Sequence, residues 1–345
     1  MSRGLGDVYK RQVLTSLDKD LYLEELWVSL YSLHYFNKEV QVKVLSDKPT
    51  AERIKGIPEL YGMINDLYPV DVPKEYPAKE RSRFIKTNIR NLIDGDFLFI
   101  DTDTVICAPL DEVDSLPIKN IGMVPELHGP FKNHLTYNYT VADTKRIFDT
   151  DTSDSPYWFN SGCMLVRDNN FTREFFVKWQ ENWKYSAFTK NNSSDQRALL
   201  KTDHDYGYII ECIPDIYNAQ IAMSIKWFYE AKIIHFWHFR KNFTPNMDFS
   251  PFFGHQIYRE LKEKGTIDQE IAPKIIHCKS AFRNDSMICG ENEIKLVMSP
   301  FNSVLWKQFQ KGGFIHWILK KQIYFIGLYQ RCINRFKRLC KHTHQ

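Results

Sequence analysis

"FLFIDTDTVI" (Phe97–Ile106) decides the reading: an apolar run of strand character stops, and two aspartates stand one residue apart where it ends. Carboxylates are rarely buried without a partner, so something positive is expected beside them. In open α/β sheets the carboxyl ends of the strands are where ligands bind. Phe97–Ile100 is therefore expected to be a strand with Asp101, Thr102 and Asp103 at its C-terminal edge. Such oxygens suit a hard divalent ion, Mn²⁺ or Mg²⁺, which also removes their mutual repulsion. A strand-end D-x-D alone is as often a solvated turn as a metal site, and the flanking sequence has to decide.

Just upstream, Lys79–Ile93 reads as a helix. Ile85, Ile89, Leu92 and Ile93 form its apolar stripe, Arg83, Lys86 and Arg90 recur on an adjacent face, and Asp94-Gly95 ends it. Without the aspartates those cations would simply be a solvated face. Asp20–Phe36 has no Gly or Pro and reads as a helix, and "VQVKVLSD" (Val40–Asp47) alternates as a strand does. With "VLTS" (Val13–Ser16) as the end of an earlier strand, these give a β-α-β opening. "SRGLGDVYKRQ" (Ser2–Gln12) shows no helical or strand period and resembles a translated adaptor sequence, so residues 1–12 are set aside as non-native.

Downstream, "WFNSGCMLVRD" (Trp158–Asp168) reads as a turn feeding a buried strand, and Phe171–Trp183 as a helix packed by Phe175, Phe176 and Trp179. "SSDQRALLK" (Ser193–Lys201) carries a helix-start signature. Ala231–Phe243 is a short apolar strand running into a polar and aromatic loop. "KIIH" occurs twice, at Lys232–His235 and Lys274–His277.

Taken in order, "RFIK", "DTD", "FNSG" with "DQ" after it, and "IIHF" followed by Lys241 resemble the GT-A glycosyltransferases, and among them glycosyltransferase family eight, over residues 13 to 243. The resemblance implies an α/β fold, a Rossmann-like nucleotide-diphospho-sugar transferase with a mixed sheet flanked by helices. It implies that Asp101, Asp103 and His235 bind Mn²⁺ (or Mg²⁺), with Asp101 also near the ribose. Lys241 would contact the diphosphate of a UDP-sugar, and Lys86 and Arg83 would face the donor. Thr15, Ser16 and Tyr22 match the segment that holds uracil and ribose, with Asp47 a further candidate at the end of "VLSD". Asn160, Asp195 and Gln196 would hold sugar hydroxyls beside the reacting centre, in a transfer that retains anomeric configuration. The family's "HFxGxxKPW" is here "HFWHFRKNF", so His238 stands for Gly, Asn242 for Pro and Phe243 for Trp; a bulky His hinders close backbone approach to phosphate. His277, also closing an "IIH" run, is the rival metal ligand, although a core or surface histidine is its commoner role. Asn160 with Ser161 and Gly162 also fits a plain turn, Asp195 a helix cap, and His235 a satisfied core histidine.

The net charge of +4 conceals an asymmetry. Residues 295–345 hold ten of the 46 Lys and Arg and none of the 42 Asp and Glu, so the preceding 294 residues carry 36 basic against 42 acidic groups. That argues against a nucleic-acid partner. From Phe301 to Lys341 the basic residues mix with Trp306, Phe309, Phe314, Trp317, Tyr324, Phe325 and Tyr329, a composition that suits an anionic membrane surface; the alternative is a helix packed on the catalytic domain with a solvated basic side. No window approaches the ~20 apolar residues of a membrane span. Seven cysteines are scattered without CxxC pairing, which favours a reducing compartment and argues against a zinc knuckle.

The expected organisation is a catalytic domain over 13–245, an acceptor-side extension over 246–300 and a basic helical membrane-association segment over 301–345. The expected function is hexose transfer from a UDP-sugar to a glycan or lipid-linked acceptor, in bacterial surface polysaccharide or lipopolysaccharide assembly, on the cytoplasmic side at the inner face of the membrane. Two other readings stay open. "FIDTDTVI" also satisfies the hydrophobic-DxDx[T/V] pattern of haloacid-dehalogenase-type phosphatases, in which Asp101 would be a nucleophile, but no GDxxxD pair follows. A non-catalytic, membrane-bound sugar-nucleotide-binding scaffold is the third.

Overall fold

The computed structural model describes residues 9–14, 20–221, 226–236, 252, 255–281, 295 and 299–342. They divide into two compact units, the first holding the described residues up to 281 and the second those from 295.

The first unit opens as β1 (Tyr9–Leu14), α1 (Tyr22–Phe36) and β2 (Val42–Asp47), with β1 and β2 parallel. One expectation is corrected here. Tyr9–Gln12, read above as lacking any strand period, forms the body of β1, which pairs with β2 on one side and with β4 (Phe97–Ile100) on the other. Backbone hydrogen bonds make this ladder without asking for an apolar pattern in the side chains.

Asp47 caps α2 (Lys48–Lys55), and α3 (Pro58–Tyr61) leads to β3 (Asp66–Val70). Pro69 lies in β3, which is an edge strand, where a missing N–H costs no ladder bond. The helix expected over Lys79–Ile93 is two pieces, α4 (Ala78–Thr87) and α5 (Ile89–Leu92), separated at Asn88. The break turns Arg90 away from the face of Arg83 and Lys86. Arg90 instead donates to the carbonyls of Gly95 and Ile93 and lies 3.5 Å from Asp168.

After β4 come β5 (Thr104–Ile106), β6 (Ile121–Pro125), α6 (Tyr137–Phe148), β7 (Phe159–Val166), α7 (Asn170–Lys184), α8 (Asp195–Asp205) and β8 (Ile210–Cys212). The main sheet runs β3-β2-β1-β4-β7-β6-β8, with β7 antiparallel to both of its neighbours. Strands β4 and β7 are buried throughout, as expected for a sheet covered on both faces. Leu98, Ile100 and Leu165 pack under α1, and Phe97, Phe99 and Met164 pack with Phe175, Phe176 and Trp179 of α7.

A second, three-stranded sheet has the order β5-β10-β9, from β9 (Ala219–Gln220) and β10 (Ile233–His235). The chain leaves one sheet and enters the other at Asp101-Thr102-Asp103. Two helices, α9 (Gln256–Lys264) and α10 (Ile271–Ile276), bury Ile257, Tyr258, Leu261, Ile271 and Ile275 in the same core as α1. The second "KIIH" therefore forms α10 and the turn after it, where the first forms β10. The first copy lies between β5 and β9, whereas the second packs its isoleucine against α1, so tertiary surroundings decide an ambiguous apolar run.

In the second unit, helices Pro300–Lys311 and Gly313–His342 follow one another, the latter 30 residues long. Among the described residues no helix is long and apolar enough to cross a membrane.

Candidate active site

Pairing of β5 with β10 builds the site. Their antiparallel register sets His235 opposite Thr104, next to Asp103, and the amide of Phe236 donates to the Asp103 carbonyl at 2.9 Å. The amide of Asp101 donates to the carbonyl of Gly162 in β7 at 2.8 Å, and Thr104 Oγ1 donates to the Asp101 carbonyl at 2.7 Å. Both aspartates are thus fixed by backbone on either side of the switch between sheets. Oxygens of Asp101 and Asp103 and a ring nitrogen of His235 all lie within 4.8 Å of one another.

The protonation of His235 can be worked out from its surroundings. Gly162 N–H donates to Asn160 Oδ1, which identifies that atom as oxygen. Asn218 must then present Nδ2 to it, at 3.0 Å, and Oδ1 to His235 Nδ1, also at 3.0 Å. An amide oxygen only accepts, so Nδ1 carries the ring's hydrogen. Nε2 is left 3.1 Å from Asp103 Oδ1. In a neutral ring two lone pairs would face each other there; a proton or a metal cation between them resolves the conflict. Burial alone would push the imidazole's pKa down, but Asp103 and then Asp101 outweigh it and raise it. Two carboxylates and a histidine oriented through its other nitrogen form a donor set that fits a divalent cation.

Cations line the opposite side. Lys86 is almost fully buried, and its Nζ donates to both oxygens of Asp101, at 3.0 and 2.9 Å, while lying 3.8 Å from Asp195 and 5.0 Å from the centre of the Phe99 ring. One turn earlier, Arg83 Nε lies 2.9 Å from Asp195 Oδ1. Asp195 opens α8, where its charge also suits the helix dipole. Burial opposes its ionisation, yet Arg83, Lys86 and a hydrogen bond from Ser161 hold its carboxyl below the ordinary value.

A third group was not expected. Glu126 is buried after β6, and its Oε2 accepts from Asn160 Nδ2 at 2.9 Å and from Gln196 Nε2 at 2.7 Å. Burial raises its pKa, and those two hydrogen bonds only partly offset the effect. One hydrogen-bonded chain therefore runs from Gln196 through Glu126, Asn160 and Asn218 to His235. Neither Glu126 nor Asn218 carried a sequence signal, since "PELH" and "YNAQ" belong to no motif. Leu127 and His128 follow Glu126 with positive φ, at 53° and 61°, and turn the chain so that His128 reaches Asp215 at 2.7 Å.

Tyr22 is partly exposed at the start of α1. Its hydroxyl pKa is raised by burial, then by Glu25 and Asp20, while Arg83 lowers it and Asp103 raises it, so the ring borders the same charges. Asp47 is not with them. Its Oδ1 caps α2 through Thr50 N–H, and its Oδ2 pairs with Arg81 at 2.7 Å. His277, the rival ligand, follows α10 and lines a separate pocket with Tyr35 and Phe36. Thr15, Ser16, Lys241, His238, Asn242 and Phe243 lie outside the described residues. The phosphatase reading would need further carboxylates around Asp101; among the described residues the metal-capable group is Asp101, Asp103 and His235.

No protein-family model matches the sequence, and no curated protein sequence matches it. Among solved structures, the chain is similar to an active-site mutant of LgtC, with a TM-score of 0.50 at 15% identity over 76% of this chain and 98% of that one. It is similar also to mouse xyloside xylosyltransferase 1 in its apo form, with a TM-score of 0.47 at 14% identity over 66% of this chain and 97% of that one. A third is the glycosyltransferase GlyE of Streptococcus pneumoniae, with a TM-score of 0.47 at 14% identity over 81% and 67% of the two chains. At such identities the likeness concerns the fold. This chain has the mixed α/β GT-A fold of glycosyltransferases.

Proposed function

We propose that the protein is a metal-dependent glycosyltransferase that moves a hexose from a UDP-sugar to a hydroxyl of a glycan or lipid-linked acceptor. The observation that carries this reading is the convergence of Asp101, Asp103 and His235 at the junction of two sheets, beside buried Lys86 and half-buried Arg83. Those three residues would hold Mn²⁺ or Mg²⁺. Bound there, the cation would neutralise charge on the departing nucleotide diphosphate.

The chain's own residues account for the rest of the chemistry. Cleaving an anomeric C–O bond develops negative charge on the leaving group, and cations already fixed in place stabilise it without reorganising at the moment of reaction. Lys86 and Arg83 are fixed in this sense, because Asp101 and Asp195 hold their side chains. Asp195, ionised and engaged by three partners, positions those cations rather than taking up a proton. Gln196 is anchored through its amide nitrogen by Glu126 and by the carbonyl of Phe159, and its carbonyl oxygen, without a hydrogen bond among the described residues, is free to accept from a sugar hydroxyl. Asn160 is spent on the network and acts by holding Glu126. By family resemblance the acceptor hydroxyl attacks on the face the nucleotide leaves, with retention of configuration, and Lys241, Thr15, Ser16 and Tyr22 complete the nucleotide site.

The basic C-terminal helices extend the proposal to an anionic membrane at the inner face of a bacterial envelope, where surface polysaccharide is assembled. In Gly313–His342, Phe314, Trp317, Phe325 and Leu328 are exposed and recur at helical spacing on one side, and Lys321 lies over the Trp317 ring at 5.8 Å.

Titration calorimetry with UDP, with and without Mn²⁺, tests the core of the reading. UDP binding should need the metal and be lost in Asp103→Ala; metal-independent binding, or none, overturns it.

A further inference from the structure

Cys107 and Cys278 are separated by 171 positions in the sequence, yet their sulfur atoms lie 3.3 Å apart. Cys107 directly follows β5, and its amide donates to the carbonyl of Lys232 at 2.8 Å, just before β10. Cys278 follows α10 and is buried, 1% exposed. Both are free thiols. Their surroundings differ in one respect that matters chemically: Cys107 is partly exposed and lines a pocket of about 390 Å³ together with Tyr35, Phe36, Ile276, His277 and Lys279.

We propose that Cys107 and Cys278 are a redox-modifiable pair, converted to an intramolecular disulfide by a low-molecular-weight disulfide such as oxidised glutathione. Cys107 is the entry point because it alone faces a cavity from which a small oxidant can reach sulfur. Its thiolate attacks one sulfur of the reagent, releasing one thiol and leaving a mixed disulfide on Cys107. The Cys278 thiolate then attacks Cys107 Sγ and displaces the second thiol. The protein gives up two electrons, the reagent gains them, and the two cysteine protons pass to the released thiolates. The hydrogen bond with Cys107 and then burial raise the pKa of Cys278, which fits a resolving thiol that stays inert until an electrophilic sulfur is placed against it.

Joining the sulfurs requires them to approach by little more than 1 Å, to the ~2.05 Å of a disulfide. Cys278 Sγ already sits against its partner. The bond would tie α10 to the small sheet that carries His235. A cross-link between positions so far apart in sequence removes much freedom from the unfolded chain, so it should also be visible as stability.

The test uses the full chain. After exposure to oxidised glutathione, free thiols are blocked with N-ethylmaleimide, the protein is digested without reduction, and peptides are mapped by mass spectrometry. A linked pair of peptides holding Cys107 and Cys278 is expected, and Cys278→Ser should instead carry glutathione on Cys107. Exposed Cys212 reports that the reagent is active. The thermal midpoint of the oxidised protein should exceed that of the reduced one by roughly 5 °C or more, with no difference in Cys278→Ser. Recovery of Cys107 and Cys278 both blocked by maleimide, glutathione retained on Cys107 in the unaltered chain, or a link from Cys107 to any other cysteine overturns the proposal. The peptide map of the unaltered chain decides this even if the variants fold poorly.

Discussion

Gly162 makes room for His235: a Cβ at position 162 would lie 2.2 Å from Cε1 of the imidazole and 2.7 Å from Nδ1. Asn160 Oδ1 would be 2.8 Å away. The glycine of "FNSG" is therefore required by the ring packed on it.

Gly162→Ala should displace the imidazole from the two aspartates. Overpacking of this kind costs about 1–3 kcal/mol, which urea denaturation measures, and Mn²⁺-dependent UDP binding should weaken at least tenfold, about 1.4 kcal/mol. Unchanged binding would show that His235 has no part in the proposed metal site.

Asn218→Ala deletes the acceptor that orients His235 without touching a proposed ligand. Removing such an outer partner typically lowers metal affinity about 10–100-fold. Titrating Mn²⁺ into the variant with saturating UDP reads this directly, and an unaltered affinity would assign Asn218 a packing role only.

Glu126 separates charge from hydrogen bonding. In Glu126→Ala the amide of Asn160 loses its acceptor and that of Gln196 one of its two, at a cost of about 1–3 kcal/mol, and sugar transfer should fall. Glu126→Gln keeps an acceptor oxygen while removing a charge that burial disfavours, so it should fold at least as stably as the parent at neutral pH and retain most of the activity. Equal damage from both substitutions would instead mean that the negative charge is used.

Asp203 gives the stability a pH signature. Burial pushes its carboxyl up to about 7, against hydrogen bonds from the amides of Ile210 and Ile209. Between about pH 4 and 7 the folded protein keeps a proton that the unfolded chain releases, so this residue's contribution to stability falls as pH rises. Asp203→Asn removes that titrating carboxyl. The stability of the parent minus that of the variant should decline from pH 4 to 7 and level off above; a flat difference refutes the assignment.

Deleting residues 301–345 should release the protein from anionic vesicles in a sedimentation assay, and moderate salt should weaken binding of the full chain. Retention of the shortened chain on the vesicles would place any membrane contact elsewhere.

Much of the scaffold could be read because periodicity was strong: "FLFI", "VKVLSD" and "FNSGCMLV" are strands near where their patterns put them, and α1, α7 and α8 lie within a few residues of expectation. What escaped depends on distant neighbours. Glu126 and Asn218 matter because of Asn160, 34 and 58 residues away, and no local spacing encodes that. Arg90 shares a helical face with Lys86 only if the helix continues through Asn88, which it does not. Tyr9–Gln12 enter the sheet through backbone pairing, to which a side-chain pattern is blind. The two thiols at 107 and 278 meet across 171 positions, with α10 packed against α1, and no local spacing encodes that.

The pairing of Thr104 with His235 also orders events in time. Both aspartates emerge early in the chain, but their third partner arrives only when a strand more than a hundred residues later docks beside β5, and contacts of such long range are slow to form. A nascent chain that stops short of β10 would carry the acidic pair without the third member of the proposed metal site, so under that proposal tight capture of the ion would serve as a certificate that β10 has docked.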